Sequence, residues 1–252
     1  TGARIAEDVE KNGGYLRLSD LEQYRPIVHD QPLSGTYRGL GVSGVTGPCA
    51  GPTVLEILNI LAQFDLSDMG HGSIDFLHTM IEAVKLAAVD RFSFMGDPAV
   101  YGFPVDALAD AEYAKSRASE IDPTRAKEFS AGDPWSFAGV AKPSSFPSQA
   151  GSAPDDGTTS LTTADKHGNM VALTQTNLAF SGVLNPGVGV MMNCAMGWSA
   201  PMSGTVNSIA PFARALNNMT PIVLHENGRA VMAIGGSGGR RIWPAVVKAI
   251  VN

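Results

Sequence analysis

Apolar residues recur at helical spacing in the first half of the chain and alternate with polar ones in the second. Over residues 53–64, Val54, Leu55, Leu58 and Leu61 share one helical face, with Pro52 near the first turn. A longer helix is predicted over 73–94, carrying Phe76, Leu77, Met80, Ile81, Val84 and Leu86, and the turn Met95-Gly96-Asp97-Pro98 ends it. Near its end Asp90-Arg91 reads as a helix-end ion pair, with a catalytic acid and its partner as the alternative. Shorter helices are expected over 3–11, stopped by Asn12-Gly13-Gly14, from a Ser19-Asp20-Leu21-Glu22 capping box to Tyr24, and over 107–120. Residues 33–45 alternate around Tyr37-Arg38-Gly39 and read as two strands with a tight turn. Two further hairpins are predicted, over 158–176 around Asp165-Lys166-His167-Gly168-Asn169 and over 219–234 around Glu226-Asn227-Gly228. Another strand is expected over 187–193, and a last helix over 240–251. Antiparallel connections with helices first point to a layered α/β or α+β fold, not a doubly wound sheet.

Composition changes that picture at one place. From about residue 129 to Gly157 the chain is rich in Pro, Ser, Gly and Ala and closes on Pro154-Asp155-Asp156-Gly157. That is too long for an ordinary connection and reads as a mobile linker. It runs straight into a strand beginning Gly157-Thr158. At 252 residues and 44% hydrophobic, the chain can bury one or two cores. A net charge of −6 with scattered Lys and Arg leaves no footprint for nucleic acid. No apolar run approaches the roughly 20 residues of a membrane span. Cys49 and Cys194 fit no metal-ligand spacing, and neither a metal nor a cofactor is implied. Residue 1 is Thr with no signal-like segment after it, so the numbering is expected to start inside a larger product. Periplasmic or secreted and cytoplasmic locations both stay open.

Two stretches could carry catalysis. Gly235-Gly236-Ser237-Gly238-Gly239 matches G-x-S-x-G between an apolar strand and a helix, the setting of a nucleophile elbow. That mechanism needs an acid and then a His later in the chain, and after Ser237 there is no Asp, Glu or His. As a phosphate cradle the same loop lacks a Lys. Gly157-Thr158 offers another route. A Thr hydroxyl is a weak nucleophile, but an N-terminal Thr carries its own base, an α-amine with a pKa near 8. Exposing that amine requires cleavage before Thr158, and Gly157 permits the strained backbone from which the hydroxyl reaches the preceding carbonyl.

A set of short motifs runs through the chain in one order: Gly13-Gly14, Ser19-Asp20-Leu21, Tyr37-Arg38-Gly39, Leu58-Asn59-Ile60-Leu61, Glu82-Ala83, Asp90-Arg91 and Gly96-Asp97-Pro98. It continues with Thr158-Thr159, Asp165-Lys166, Gly168-Asn169, Asn207, Ile209-Ala210-Pro211, Met219-Thr220-Pro221 and Gly238-Gly239. Together these resemble the γ-glutamyltranspeptidase family. The resemblance implies an N-terminal-nucleophile hydrolase with a four-layer αββα core and mostly antiparallel sheets, made as a proenzyme that cleaves itself before the nucleophile. Residues 1–157 would be the C-terminal part of a large-subunit-like region, and 158–252 a small-subunit-like region. The N-terminal third to half of the proenzyme and a C-terminal tail would lie outside this numbering. The partners implied are a small amide or peptide substrate and the two halves of the cleaved proenzyme.

By position the resemblance makes Thr158 the nucleophile, Gly157-Thr158 the cleaved bond and Thr176 the second Thr that hydrogen-bonds it. Gly238 and Gly239 would supply the oxyanion-hole N–H groups. Substrate-binding positions fall on Asn177, Asn193, Asn217 and Asn218. The departures lie around these. Ser160 stands where the family has His, and Asn193-Cys194-Ala195-Met196-Gly197-Trp198 lacks the family's acid for the substrate ammonium. Asn217-Asn218 replaces a Ser-Ser pair, and its amides still donate hydrogen bonds. The implied activity is a threonine amidohydrolase or acyltransferase acting on γ-glutamyl or related acyl amides through an acyl-enzyme, with an altered acyl pocket. The alternative is a non-catalytic or unprocessed member with a binding role.

Overall fold

Helix boundaries follow from who supplies the caps. In the computed structural model, which describes residues 1–103, 105–142, 157–178 and 181–252, α1 is Gly2–Lys11 and α2 Leu18–Gln23. The strands β1 (Leu33–Tyr37) and β2 (Leu40–Gly44) come next, then α3 (Gly51–Leu61), α4 (Leu66–Met69), α5 (Ile74–Phe94), α6 (Pro98–Tyr101), α7 (Ala111–Ala118) and α8 (Trp135–Ala138). The remainder is β3 (Thr158–Ala164), β4 (Met170–Thr176), β5 (Ile222–Glu226), β6 (Arg229–Ile234) and α9 (Ile242–Val251). The Ser73 Oγ accepts from the Phe76 N–H at 3.1 Å and starts α5 where its polar side chain predicts. α2 is capped differently from expectation: the Arg17 N–H donates to the Asp20 carboxylate at 2.8 Å, so the helix begins before Ser19.

The strands β1, β2, β5 and β6 form one antiparallel sheet in that order. Two of its turns have positive φ at both central residues, 48° and 85° at Arg38-Gly39 and 50° and 77° at Asn227-Gly228. These values match the right-handed strand twist and explain the tight hairpins. Val42, Ile222 and Leu224 face the helices and are buried. α3 lies between that face and α5 and α7, and nearly all of its residues are buried, which suits a helix apolar all round.

β3 and β4 form a separate hairpin, closed by the Asp165 carboxylate accepting from the His167 and Asn169 N–H groups and by Gly168 at φ 85°. It packs on the end of the larger sheet. A Cβ at Gly235, just after β6, would come within 2.4 Å of Ser160 Oγ and 3.0 Å of Thr174 Oγ1. The layers are thus helices, four-stranded sheet and hairpin, an α/β layered fold with antiparallel sheets. On the hairpin's outer face Leu161, Val171 and Leu173 stay exposed, so none of the described helices covers it.

Three expectations are corrected. Residues 187–193 form no strand; they contribute one bridge, Leu184 to Met191. Residues 129–142 do not begin a loose linker. The Gly132 N–H donates to Asp90 at 2.8 Å, Arg117 donates to the Ser130 carbonyl at 2.9 Å, and Trp135 is buried edge-on against Phe94 and Phe103. Average composition hides such single anchors. The rest of that stretch, 143–156, lies outside the described residues. Asp90 and Arg91 do not form a helix-end pair. Asp90 pairs with Arg117 at 2.9 Å and accepts from the Tyr113 hydroxyl at 2.6 Å, while Arg91 points elsewhere.

Candidate functional site

Thr158 and Thr176 are directly opposite one another at the open end of the β3–β4 hairpin. Strand pairing therefore brings together two hydroxyls eighteen positions apart in sequence. The Thr158 hydroxyl donates to Thr176 Oγ1 at 3.2 Å, and the Thr176 hydroxyl donates to the Gly157 carbonyl at 3.2 Å. The Leu178 N–H donates to Thr176 Oγ1 at 2.9 Å and fixes its orientation. Gly157 has φ 91°, a conformation costly for residues with a Cβ. Both threonines are half-buried, and no titratable side chain among the described residues bonds either hydroxyl. Ser160, two pairs further in on the same face, contacts Thr174 Oγ1 at 3.4 Å and the Leu173 carbonyl at 3.3 Å.

The glycine-rich loop leaves β6 beside this row, since Gly235 abuts Ser160 and Thr174. Gly238 and Gly239 have φ 125° and 59°, and their N–H groups have no hydrogen-bond acceptor among the described residues. The loop then passes through a 3₁₀ turn, Gly239–Arg241, into α9. Gly238 is half-buried and Gly239 buried, and two successive positive φ values are backbone that can form an anion-binding nest.

The four asparagines divide. The Asn177 carbonyl accepts from the Cys194 N–H at 3.2 Å, tying the hairpin end to the segment that carries Asn193. Asn193 and Asn217 both line one cleft of about 610 Å³. Asn193 Oδ1 is held by the Ala195 N–H at 2.9 Å, and Asn217 Oδ1 by the Met219 N–H at 3.1 Å. Asn218 is buried beside the cleft, not in its lining, and its carbonyl accepts from Thr220 at 2.9 Å.

The sequence reading missed several cleft residues, among them Cys49, Trp198 and Arg214. The signal lay in motifs with no assigned job. Asp97 is buried and accepts from the Arg214 N–H at 2.7 Å; Asn207 links Trp198 and Leu216 through bonds of 2.6 and 2.9 Å. Both motifs hold cleft walls. Cys49 and Cys194 form no disulfide and are half-buried, and burial pushes the Cys49 thiol up, partly offset by Asn217 and Arg91. Among the described residues no His, Cys, Asp and Glu cluster could hold a metal, and no helix is long and apolar enough to cross a membrane.

The model of the family described as γ-glutamyltranspeptidase matches residues 1–252. The chain belongs to that family. It is similar to the acylase ACY 1 proenzyme of Pseudomonas sp. (strain SE83), at 35% identity over 100% of this chain and 42% of the relative. It is similar also to the glutathione hydrolase proenzyme of Escherichia coli (strain K12), at 34% identity over 99% of this chain and 43% of the relative. The solved cephalosporin acylase from Bacillus halodurans superposes with a TM-score of 0.83 at 28% identity, over 100% of this chain and 42% of that one. The chain thus spans less than half the length of each of these proteins.

Proposed function

We propose that this chain is the catalytic part of an autoprocessing threonine amidohydrolase or acyltransferase of the γ-glutamyltranspeptidase family, with Thr158 as nucleophile. The observation that supports it most is the relay from Thr158 through Thr176 to the Gly157 carbonyl. In maturation the Thr158 Oγ attacks the Gly157 carbonyl carbon while the Thr176 O–H stabilises charge on its oxygen. The Thr158 hydroxyl proton passes to the Thr158 nitrogen as the C–N bond breaks, which frees the amine and leaves an ester on Oγ; water then hydrolyses that ester to a Gly157 carboxylate and the Thr158 hydroxyl. In turnover that amine takes the hydroxyl proton, and Oγ attacks the substrate amide. The Gly238 and Gly239 N–H groups bind the oxyanion, each such donor being worth about 3 kcal/mol. The ammonium protonates the leaving amine, and water or an acceptor amine releases the acyl group.

The acyl group is held in the cleft of Asn193 and Asn217. None of its described lining residues is a carboxylate, so a substrate ammonium would find no counter-charge there. The reading therefore favours acyl groups without an α-amine. Intact-mass analysis of the full-length natural protein tests the nucleophile. Two fragments that divide before Thr158, lost in Thr158→Ala, are expected; a product that never divides and has no amidase activity would leave a binding role. Release rates from γ-glutamyl anilides and their des-amino analogues test the cleft, and a preference for the γ-glutamyl compounds would refute it.

A further inference from the structure

Among the described residues, Leu178 is the one buried non-glycine with a positive φ. Its φ is 60° and it is 2% exposed. Arg38, Phe212 and Asn227 share that backbone but are exposed, and two of them sit in hairpin turns that require it. Leu178 lies two residues past β4. A leucine there incurs a steric cost that glycine would not. Strain of this kind persists only where the surroundings hold it, and it gathers at sites that use it.

Two contacts hold Leu178 in place. The Asn177 carbonyl accepts from the Cys194 N–H at 3.2 Å. The side chain lies against Gly197, where an added Cβ would stand 3.6 Å from Leu178 Cδ2. The 3₁₀ turn Ala195–Trp198 thus backs the residue, and burial offsets the strain. What the left-handed backbone sets is the direction of one N–H, which donates to Thr176 Oγ1 at 2.9 Å. A threonine hydroxyl has two lone pairs and one proton. In Thr176 the Thr158 hydroxyl occupies one lone pair and the Leu178 N–H the other. Only the proton remains, and it goes to the Gly157 carbonyl. Without the Leu178 N–H, the Thr176 hydroxyl can turn and donate to Thr158 Oγ instead. The Gly157 carbonyl is then left unpolarised.

We propose that Leu178 is a positioning residue whose strained backbone fixes the direction of the Thr158–Thr176–Gly157 relay. This rests on Thr158 being the nucleophile that divides the chain. The test uses the full-length natural protein and two pairs of substitutions, with processing followed by intact mass. Leu178→Ile and Leu178→Met both keep the apolar volume, but only Ile is branched at Cβ and so disfavoured in the left-handed region. Ile should slow processing about 30-fold, as a misaimed reacting group does, and Met less than about three-fold. Leu178→Ala and Leu178→Gly form the second pair. Glycine removes more side chain yet adopts positive φ without strain, so it should process about five-fold faster than alanine and unfold at a higher temperature. A residue that only packs gives the reverse order for Ala and Gly and equal rates for Ile and Met; either result overturns the proposal. In a Thr176→Val background, adding Leu178→Ile should change processing less than about two-fold, because the route through Thr176 is already lost. A full additional loss there also overturns it. Where a variant of one pair does not fold, the order within the other pair decides. A wild type that never divides removes the nucleophile assignment and the relay together. A wild type that divides, with Ile and Met alike, removes only the role of Leu178.

Discussion

The helical core and the β3–β4 hairpin are built by opposite means. α3 buries almost every residue, with Ile57, Leu58, Ile60 and Leu61 all at 0% exposure. The hairpin leaves Leu161, Val171 and Leu173 more than two-fifths exposed and turns Ser160, Thr174 and the Thr158–Thr176 pair inward. One region gains its stability from apolar area removed from water. The other places hydroxyls and amides at set distances and gains little from burial. Changes in the first should therefore alter stability, and changes in the second should alter chemistry.

The largest expected effect is on chemistry. Thr176→Val removes the donor to Gly157 and the acceptor for Thr158 and Leu178. Processing rate and kcat should each fall about 10²–10³-fold, measured by gel time courses and anilide release, with a thermal midpoint within a few degrees of wild type. A large loss of midpoint would erase the contrast between the regions.

Leu58→Ala should do the converse. It should cost about 2–5 kcal/mol in denaturant unfolding and leave the kcat of the folded fraction near wild type. Gly235→Ala probes the seam between hairpin and sheet. Its Cβ would meet Ser160 Oγ at 2.4 Å, so a loss of about 1–3 kcal/mol is expected, and Ser160→Ala in the same chain should recover part of it. No recovery would mean that the strain lies elsewhere.

The smallest effect concerns Glu56 on α3. Both of its carboxylate oxygens are buried without a hydrogen-bond partner. Burial first, and the neighbouring Asp90 second, raise its pKa well above the usual carboxylate range. The folded state thus keeps a proton that the unfolded chain releases above about pH 4.5, so stability falls as pH rises from there toward the raised pKa. Glu56→Gln should remove that slope, raising the thermal midpoint by a few degrees at pH 7–8 and changing it little near pH 4. An unchanged pH profile would show Glu56 already solvated.

Local chemistry made several elements legible in the sequence. Ser73 starts α5, Asn227-Gly228 turns the second hairpin, and Gly157-Thr158 opens a strand, because in each the deciding interaction is a few residues away. The Gly-Thr junction also stood out as a place for a nucleophile, and the motif order agreed with the family that residues 1–252 match. Other features were hidden because their partners are distant. Composition made 129–142 look loose, yet Asp90 and Phe94 pin it. Asp90-Arg91 looked like a pair, but successive residues on a helix point in different directions. One went to Arg117, the other to Asn217. The sequence alone determined the hairpins, the long helix and the threonine at the strand start. Only the tertiary structure placed Asn193 and Asn217 in one cleft, left Asn218 out of it and set a buried guanidinium behind its floor. Those facts depend on contacts across more than a hundred residues, and no local propensity encodes them.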